Sequence, residues 1–85
     1  MKYEKHDLQV GDRIQTTRGI EGTVLELRNT EFAIHRLDGR GHSGNANEYA
    51  DTEHANKCWY LLYPDVVKVE TANPVHRLEL ELLAL

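Results

Sequence analysis

The fold of this 85-residue chain is indicated most clearly by residues 23–37, which read TVLELRNTEFAIHRL. Apolar and polar side chains alternate within 23–28 and again within 31–37, and a period of two residues is typical of β-strands. Two residues, Asn29 and Thr30, separate these runs, so we predict a tight β-hairpin. Strict alternation predicts that Leu25 and Leu27 share one face of the first strand and that Val24 lies on the other.

Three further short runs have strand character. They cover residues 14–17, 58–63 and 66–70 and are rich in β-branched, aromatic and leucine side chains. The first is followed by a turn at 18–22, where Gly19 and Gly22 are available for backbone with positive φ. The five runs together predict a small all-β domain.

Size and composition exclude several classes of protein. The longest apolar run, residues 59–63, is far shorter than the roughly 20 residues of a transmembrane helix. The charged N-terminal residues 1–7 lack the apolar segment of a secretory signal. The single cysteine, Cys58, cannot form an intramolecular disulfide, so we expect a reducing, cytoplasmic setting. We also expect no cofactor.

A long polar segment interrupts the strands. Residues 39–57 contain no Val, Ile, Leu or Phe but hold three glycines and three asparagines. We predict a loop there, with one helical turn within 48–55. A loop of this length in a small domain is usually functional or mobile.

The tail, residues 71–85, fits two structures. As a strand it would align Leu78, Leu80 and Leu82. As a helix it would be capped by Asn73, with Pro74 at its first position. Basic residues near the start of such a helix and glutamates toward its end oppose the helix dipole, which favours the strand. We therefore predict a domain at 1–70 and a leucine-rich extension at 71–85, a strand or short helix.

Several segments resemble a known family. VGDRI at 10–14, GTVLEL at 22–27 and FAI at 32–34 resemble the opening of SH3-like barrels of the KOW and mind-bomb type. CWYL at 58–61 with PDVVKV at 64–69 is similar to their closing strands. The resemblance implies a five-stranded SH3-like barrel over residues 8–70, carrying the long polar loop.

A further likeness concerns function. GHSG at 41–44, placed before Cys58 and Trp59, is similar to small phage and bacterial proteins of unassigned function. This likeness implies a phage-encoded inhibitor or adaptor directed at a host protein.

Charge is distributed unevenly along the chain. The formal net charge is −4, and all of the excess acid lies in residues 41–85. We predict a non-enzymatic protein-binding module whose acidic loop and aromatic side chains cover a basic, nucleic-acid-binding surface of the partner. The predicted binding residues are His42, Asn45, Asn47, Glu48, Tyr49, Asp51, Glu53, Trp59 and Tyr60.

Two alternative functions remain open. A KOW-like nucleic-acid-binding module would use the arginines of the neutral first half, although a dedicated binder normally shows a basic face. An oligomer that binds a small anion or nucleotide would use the G-x-G-x-x-G spacing of residues 39–44. The arginines in question are Arg13, Arg18, Arg28, Arg36 and Arg40.

Two further groups of side chains are candidates for a metal site and for an interface. His42, His54 and Cys58 are weak candidates for a metal site, because the spacing of His54 and Cys58 suits zinc but no CxxC or HExxH motif is present. The tail leucines must pack on the domain or on a second copy, since a free end would not carry so many. They form the predicted interface: Leu78, Leu80, Leu82, Leu83 and Leu85.

Overall fold

Five β-strands and one α-helix form the fold in a computed structural model, which describes residues 2–38, 46–49 and 51–85. The strands are β1 (Arg13–Thr16), β2 (Glu21–Leu27), β3 (Glu31–Arg36), β4 (Cys58–Leu62) and β5 (Val66–Glu70), and helix α1 is Pro74–Leu83. Short 3₁₀ helices occupy Lys5–Asp7, Ala46–Tyr49 and Tyr63–Asp65. The predicted strands are confirmed to within about two residues at each end.

All five strands belong to one antiparallel sheet with the order β4-β3-β2-β1-β5. Strands β2 and β3 form the predicted hairpin, in which the backbone N–H of Arg28 donates to the carbonyl of Glu31 at 2.9 Å. Strand β5 returns to pair with β1, so β4 and β5 are the two edges of the sheet. The described strands therefore form an open sheet.

A β-bulge in β2 changes which side chains enter the core. Val24 pairs with Ile34 and Glu26 with Ala33, which leaves Leu25 without a partner on β3. After this extra residue the alternation is shifted, so Val24 and Leu27 both pack in the main core while Leu25 packs on the other face. The prediction that Leu27 shares a face with Leu25 is therefore wrong, because strict alternation does not allow for a bulge.

The sheet has two apolar faces of unequal size. The inner face holds the main core, and the outer face holds the buried Ala33 and Cys58. The buried residues of the main core are Leu8, Ile14, Val24, Phe32, Ile34, Leu61, Tyr63 and Val66.

The two glycines predicted to serve the turn at 18–22 have different roles. Gly19 has φ +77°, as predicted for the turn. Gly22 lies within β2, where a Cβ would come within 2.6 Å of the backbone oxygen of His35 on β3. Glycine is needed there for close approach of two strands rather than for a turn.

The tail is a helix, and the preference for a strand is wrong. The Asn73 side chain accepts hydrogen bonds from the backbone N–H groups of Val75 and His76, at 3.0 and 3.3 Å. An N-cap of this kind stabilises a helix by about 1 kcal/mol, which is comparable to the unfavourable dipole interactions. His76, which opposes the dipole, is buried beside the carboxylate of Asp12, and this pairing compensates for its position.

Within residues 2–38, 46–49 and 51–85, no helix is long and apolar enough to cross a membrane.

Candidate functional site

The candidate site lies on the outer face of β2, β3 and β4, where the chain returns over the sheet. Tyr49, at the end of the 3₁₀ helix Ala46–Tyr49, packs against the outer-face residues Ala33 and Cys58. Leu25 and Tyr60 complete this small cluster. The described part of the predicted loop is therefore attached to the sheet, and it carries acidic side chains across the outer face.

One arginine on this face is surrounded by three carboxylates. The guanidinium of Arg28 lies 3.2 Å from Glu26 and 3.6 Å from Glu31, and it also hydrogen-bonds Glu48. Arg28 stacks over the ring of Tyr60, with 4.8 Å between the guanidinium carbon and the ring centroid. The contact to Glu48 joins residues 20 positions apart and ties the 3₁₀ helix Ala46–Tyr49 to β2. We call the four charged residues the Arg28 cluster.

Hydrogen bonds fix the position of the Arg28 cluster. The hydroxyl of Tyr49 donates to Glu26 Oε2 at 2.9 Å, and the hydroxyl of Tyr63 donates to the backbone oxygen of Arg28 at 2.5 Å. The bond from Tyr49 lowers the pKa of Glu26, and Arg28 lowers it further against the opposing effect of burial. Burial and the hydrogen bond to Glu26 raise the pKa of Tyr49 to about 12. Glu26 is therefore an anion at neutral pH, and Tyr49 keeps its proton.

Two histidines hold the next part of the returning segment. Nδ1 of His54 lies 2.7 Å from Nδ1 of His35 on β3, and the rings meet edge to face with centroids 5.0 Å apart. A hydrogen bond between two imidazole nitrogens needs one N–H and one bare nitrogen, so the two rings cannot both be protonated while it forms. Burial lowers the pKa of His35, and the charges of His54 and Lys57 lower it further.

His35 was not singled out by the sequence, which placed it among alternating residues of a strand. Its partner His54 is 19 residues away, and no short motif relates the two. The only sequence signal for a covered outer face is that His35 shares a face of its strand with the apolar Ala33.

The acidic residues predicted to contact a partner are on the surface. Glu48, Asp51 and Glu53 are exposed, and Glu48 also belongs to the Arg28 cluster. Glu53 approaches His54, with 3.7 Å between Oε1 and Nε2. Among the described residues of this region, these three acidic residues and Glu26 and Glu31 make five carboxylates, against the two cations Arg28 and Lys57. The outer face over β2, β3 and β4 is therefore acidic.

The predicted aromatic residues lie on two different faces. Tyr60 is on the outer face with Tyr49 and forms part of the acidic region. Trp59 points the other way and packs against the main core. The Arg36 guanidinium lies 5.3 Å from the centre of the Trp59 ring, and Arg36 also pairs with Asp38. Only Tyr49 and Tyr60 are positioned to act together with the acidic side chains.

Several predicted sites fall outside the described residues. These are His42, Asn45, the side chain of Asn47 and the glycine-rich spacing at 39–44. The other proposed metal ligands are placed: His54 bonds His35, and Cys58 is fully buried. Burial raises the pKa of the Cys58 thiol, and the charge of Glu48 raises it further. Among the described residues, no three His, Cys, Asp or Glu side chains are grouped to hold a metal ion.

Comparison with known proteins gives no match: no family model, no curated protein and no solved structure matches the chain. Its function is therefore inferred from its own side chains and their geometry.

Proposed function

We propose that this protein is a non-enzymatic protein-binding module whose acidic outer face covers a basic surface of its partner. The observation that carries this proposal is the excess of carboxylates around Arg28 and along the returning segment, together with Tyr49 and Tyr60 on the same face. Complementary charge accelerates association, and aromatic side chains supply much of the affinity at protein interfaces.

The side chains of the acidic face are held in place by hydrogen bonds, and this supports the proposed role. Glu48 is held by Arg28, Glu26 is held by Tyr49, and His54 is held by His35. Side chains that are already fixed lose less conformational entropy when a partner binds. The exposed Asp51 and Glu53 lie on the segment that these contacts fasten to the sheet.

Among the described residues, Cys58 is poorly suited to act as a catalytic nucleophile. The thiol of Cys58 is buried and its pKa is raised, so the reactive thiolate is disfavoured. Arg28 and Arg36, two of the five arginines that could contact nucleic acid, are paired with carboxylates. These observations favour protein binding over both an enzyme and a KOW-like nucleic-acid-binding module.

The fold supports a more specific form of the proposal. A sheet of five short strands in which β5 returns to β1, bent by a bulge in β2, suits an SH3-like barrel over residues 1–70. In line with the likeness to small phage proteins, we propose that the partner is a host protein in the cytoplasm. Blocking its nucleic-acid-binding surface would make this chain an inhibitor or adaptor.

The test is affinity isolation from cell extract with three forms of the protein. The Asp51→Lys/Glu53→Lys variant reverses exposed charge without altering the Arg28 cluster. Glu4→Lys/Glu70→Lys makes the same charge change at two exposed positions, on the N-terminal segment and on β5. We expect the wild type and the second variant to retain the same protein and the first variant to lose it. Equal retention by all three forms would contradict the proposal, and so would recovery of nucleic acid alone.

A further inference from the structure

Residues 51–57, which we call the strap, cross the outer face of the sheet on the way into β4. Among the described residues, the strap is bonded largely to itself. The backbone N–H groups of Ala55 and Lys57 donate to the carbonyls of Thr52 and His54, at 3.2 and 3.0 Å. The backbone N–H of His54 also donates to the Thr52 hydroxyl at 3.1 Å. These bonds form successive turns, so they give the strap a shape without holding it against the sheet.

Two contacts between described residues fasten the strap to β3. At its C-terminal end, the backbone N–H of Arg36 donates to the carbonyl of Lys57 at 2.9 Å. Near its middle, Nδ1 of His54 lies 2.7 Å from Nδ1 of His35. Within the described part of the chain, this is the only hydrogen bond that joins residues 51–56 to the sheet. The attachment of the strap before Lys57 therefore depends on one pair of imidazoles.

Acid changes this pair in two steps. Taking up one proton leaves the hydrogen bond in place, because one ring donates and the other still has a bare nitrogen. The first proton is favoured on His54, since the Glu53 carboxylate lies 3.7 Å from its Nε2. The second proton must go to the bare Nδ1 of His35. It breaks the contact, because two imidazolium N–H groups cannot hydrogen-bond each other.

The groups around His35 set when the second proton binds. Thr23 on β2 and Cys58 on β4 pair with His35 in the sheet. Threonine does not titrate, and burial raises the pKa of the Cys58 thiol, so both stay neutral in acid. From the strap, the neighbouring imidazole and Lys57 face His35 as positive groups and Glu53 as a negative one. Burial and the two positive groups outweigh Glu53, so His35 stays neutral until the solution is acidic.

We propose that this pair of imidazoles is a latch that acid opens: protonation of His35 releases the strap from β3 while the sheet stays folded. The main core lies on the inner face and contains no residue of the strap, so release costs the core nothing. The latch is closed above pH 6.5 and opens as the pH falls through the lowered pKa of folded His35. It is a property of the chain alone and does not depend on the proposed function.

NMR relaxation of ¹⁵N-labelled protein, from about pH 8 to about pH 4, tests the proposal, with EDTA present so that no metal ion holds the imidazoles. We expect order parameters of about 0.85 in residues 51–56 at the highest pH. They should fall below about 0.6 as the imidazole signals show protonation of His35. The backbone amides of Val24 and Ile34, in the sheet, should keep their order throughout.

Three variants separate the latch from a general effect of acid. His35→Gln retains a side-chain oxygen that accepts from His54 at any pH, so the strap should stay ordered where the wild type opens. His54→Ala removes the latch, so the strap should be mobile even at the highest pH. His6→Gln is the matched control, since it removes an exposed histidine elsewhere, and it should behave like the wild type.

Three results would each overturn the proposal. The first is a strap that stays ordered while both His35 and His54 are protonated. The second is a His35→Gln variant whose strap opens at the same pH as that of the wild type. The third is loss of order in the sheet at the pH at which the strap is released, because the transition would then be unfolding of the whole domain.

Discussion

Nε2 of His76 lies 3.0 Å from Oδ2 of Asp12, and both residues are only 2% exposed. These residues are 64 positions apart and join α1 to the segment that enters β1. The same Asp12 oxygen accepts a hydrogen bond from the backbone N–H of Gln9 at 2.9 Å. This pair is thus the main polar anchor of the C-terminal helix.

Breaking the anchor should destabilise the protein. We expect His76→Ala to lower the free energy of unfolding by about 1–3 kcal/mol, because the buried Asp12 carboxylate loses a partner. Urea denaturation measures this change. Glu79→Ala removes only an exposed contact to His76 at 3.5 Å and should change stability by less than about 0.5 kcal/mol. Equal effects of the two substitutions would show that the buried pair has no special role.

The contact between His35 and His54 should make stability depend on pH. The folded state holds the pKa of His35 below its ordinary value of 6.5, so the unfolded chain binds more protons at mildly acidic pH. The stabilisation is present above pH 6.5 and is lost as the pH falls through the lowered pKa of folded His35. Urea denaturation at pH 8 and at successively lower pH should show this loss.

The control for the histidine pair is His35→Gln, which cannot titrate. We expect its stability to fall less on acidification than that of the wild type. The remaining pH dependence in the variant belongs to the other histidines and the carboxylates. Identical pH profiles would mean that the folded protein does not depress protonation of His35.

The hydrogen bond from Tyr49 to Glu26 predicts an unusual tyrosine titration. We expect one tyrosine with a pKa of about 12, assigned to Tyr49. Glu26→Gln should lower that pKa toward 10, because the negative charge that opposes ionisation of Tyr49 is removed. NMR of ring-labelled tyrosine follows each residue separately. An unchanged Tyr49 titration in the variant would contradict the contact.

Cys58 should be inert in the folded protein. Its thiol is buried and its pKa is raised by burial, so we expect reaction with an aromatic disulfide reagent at pH 8 to be about tenfold or more slower than for unfolded protein. Absorbance of the released thiolate measures the rate. If the folded protein reacts as fast as the unfolded chain, the Cys58 thiol is accessible and becomes a candidate nucleophile or metal ligand again.

The strands were predictable because the side-chain pattern along each run is the pattern that its pairing in the sheet requires. The hairpin at Asn29 and Thr30 follows from two alternating runs, and β5 occupies the predicted residues 66–70. The bulge at Leu25 was not predictable, because it depends on how β2 and β3 pair rather than on local alternation. The tail was ambiguous because capping and dipole effects have similar size and opposite sign.

The candidate site was only partly predictable for a related reason. Exposed acids such as Glu48 are visible in the composition of the loop, but their placement depends on contacts over 19 or more residues. Arg28 was grouped with possible nucleic-acid-binding arginines, whereas the fold surrounds it with carboxylates. Glu26 and Glu31 are close to Arg28 in the sequence, but their grouping depends on the hairpin, and the pair with Glu48 spans 20 residues and leaves no mark at a fixed spacing.

The acidic outer face is the centre of the functional proposal, and binding to the recovered partner tests it most directly. Isothermal titration should be performed at low and high salt with the wild type, Asp51→Lys/Glu53→Lys and Glu4→Lys/Glu70→Lys. We predict that the first variant loses about tenfold or more in affinity and much of the salt dependence, while the second matches the wild type. Equal affinity and equal salt dependence for all three proteins would contradict a binding role for the acidic face.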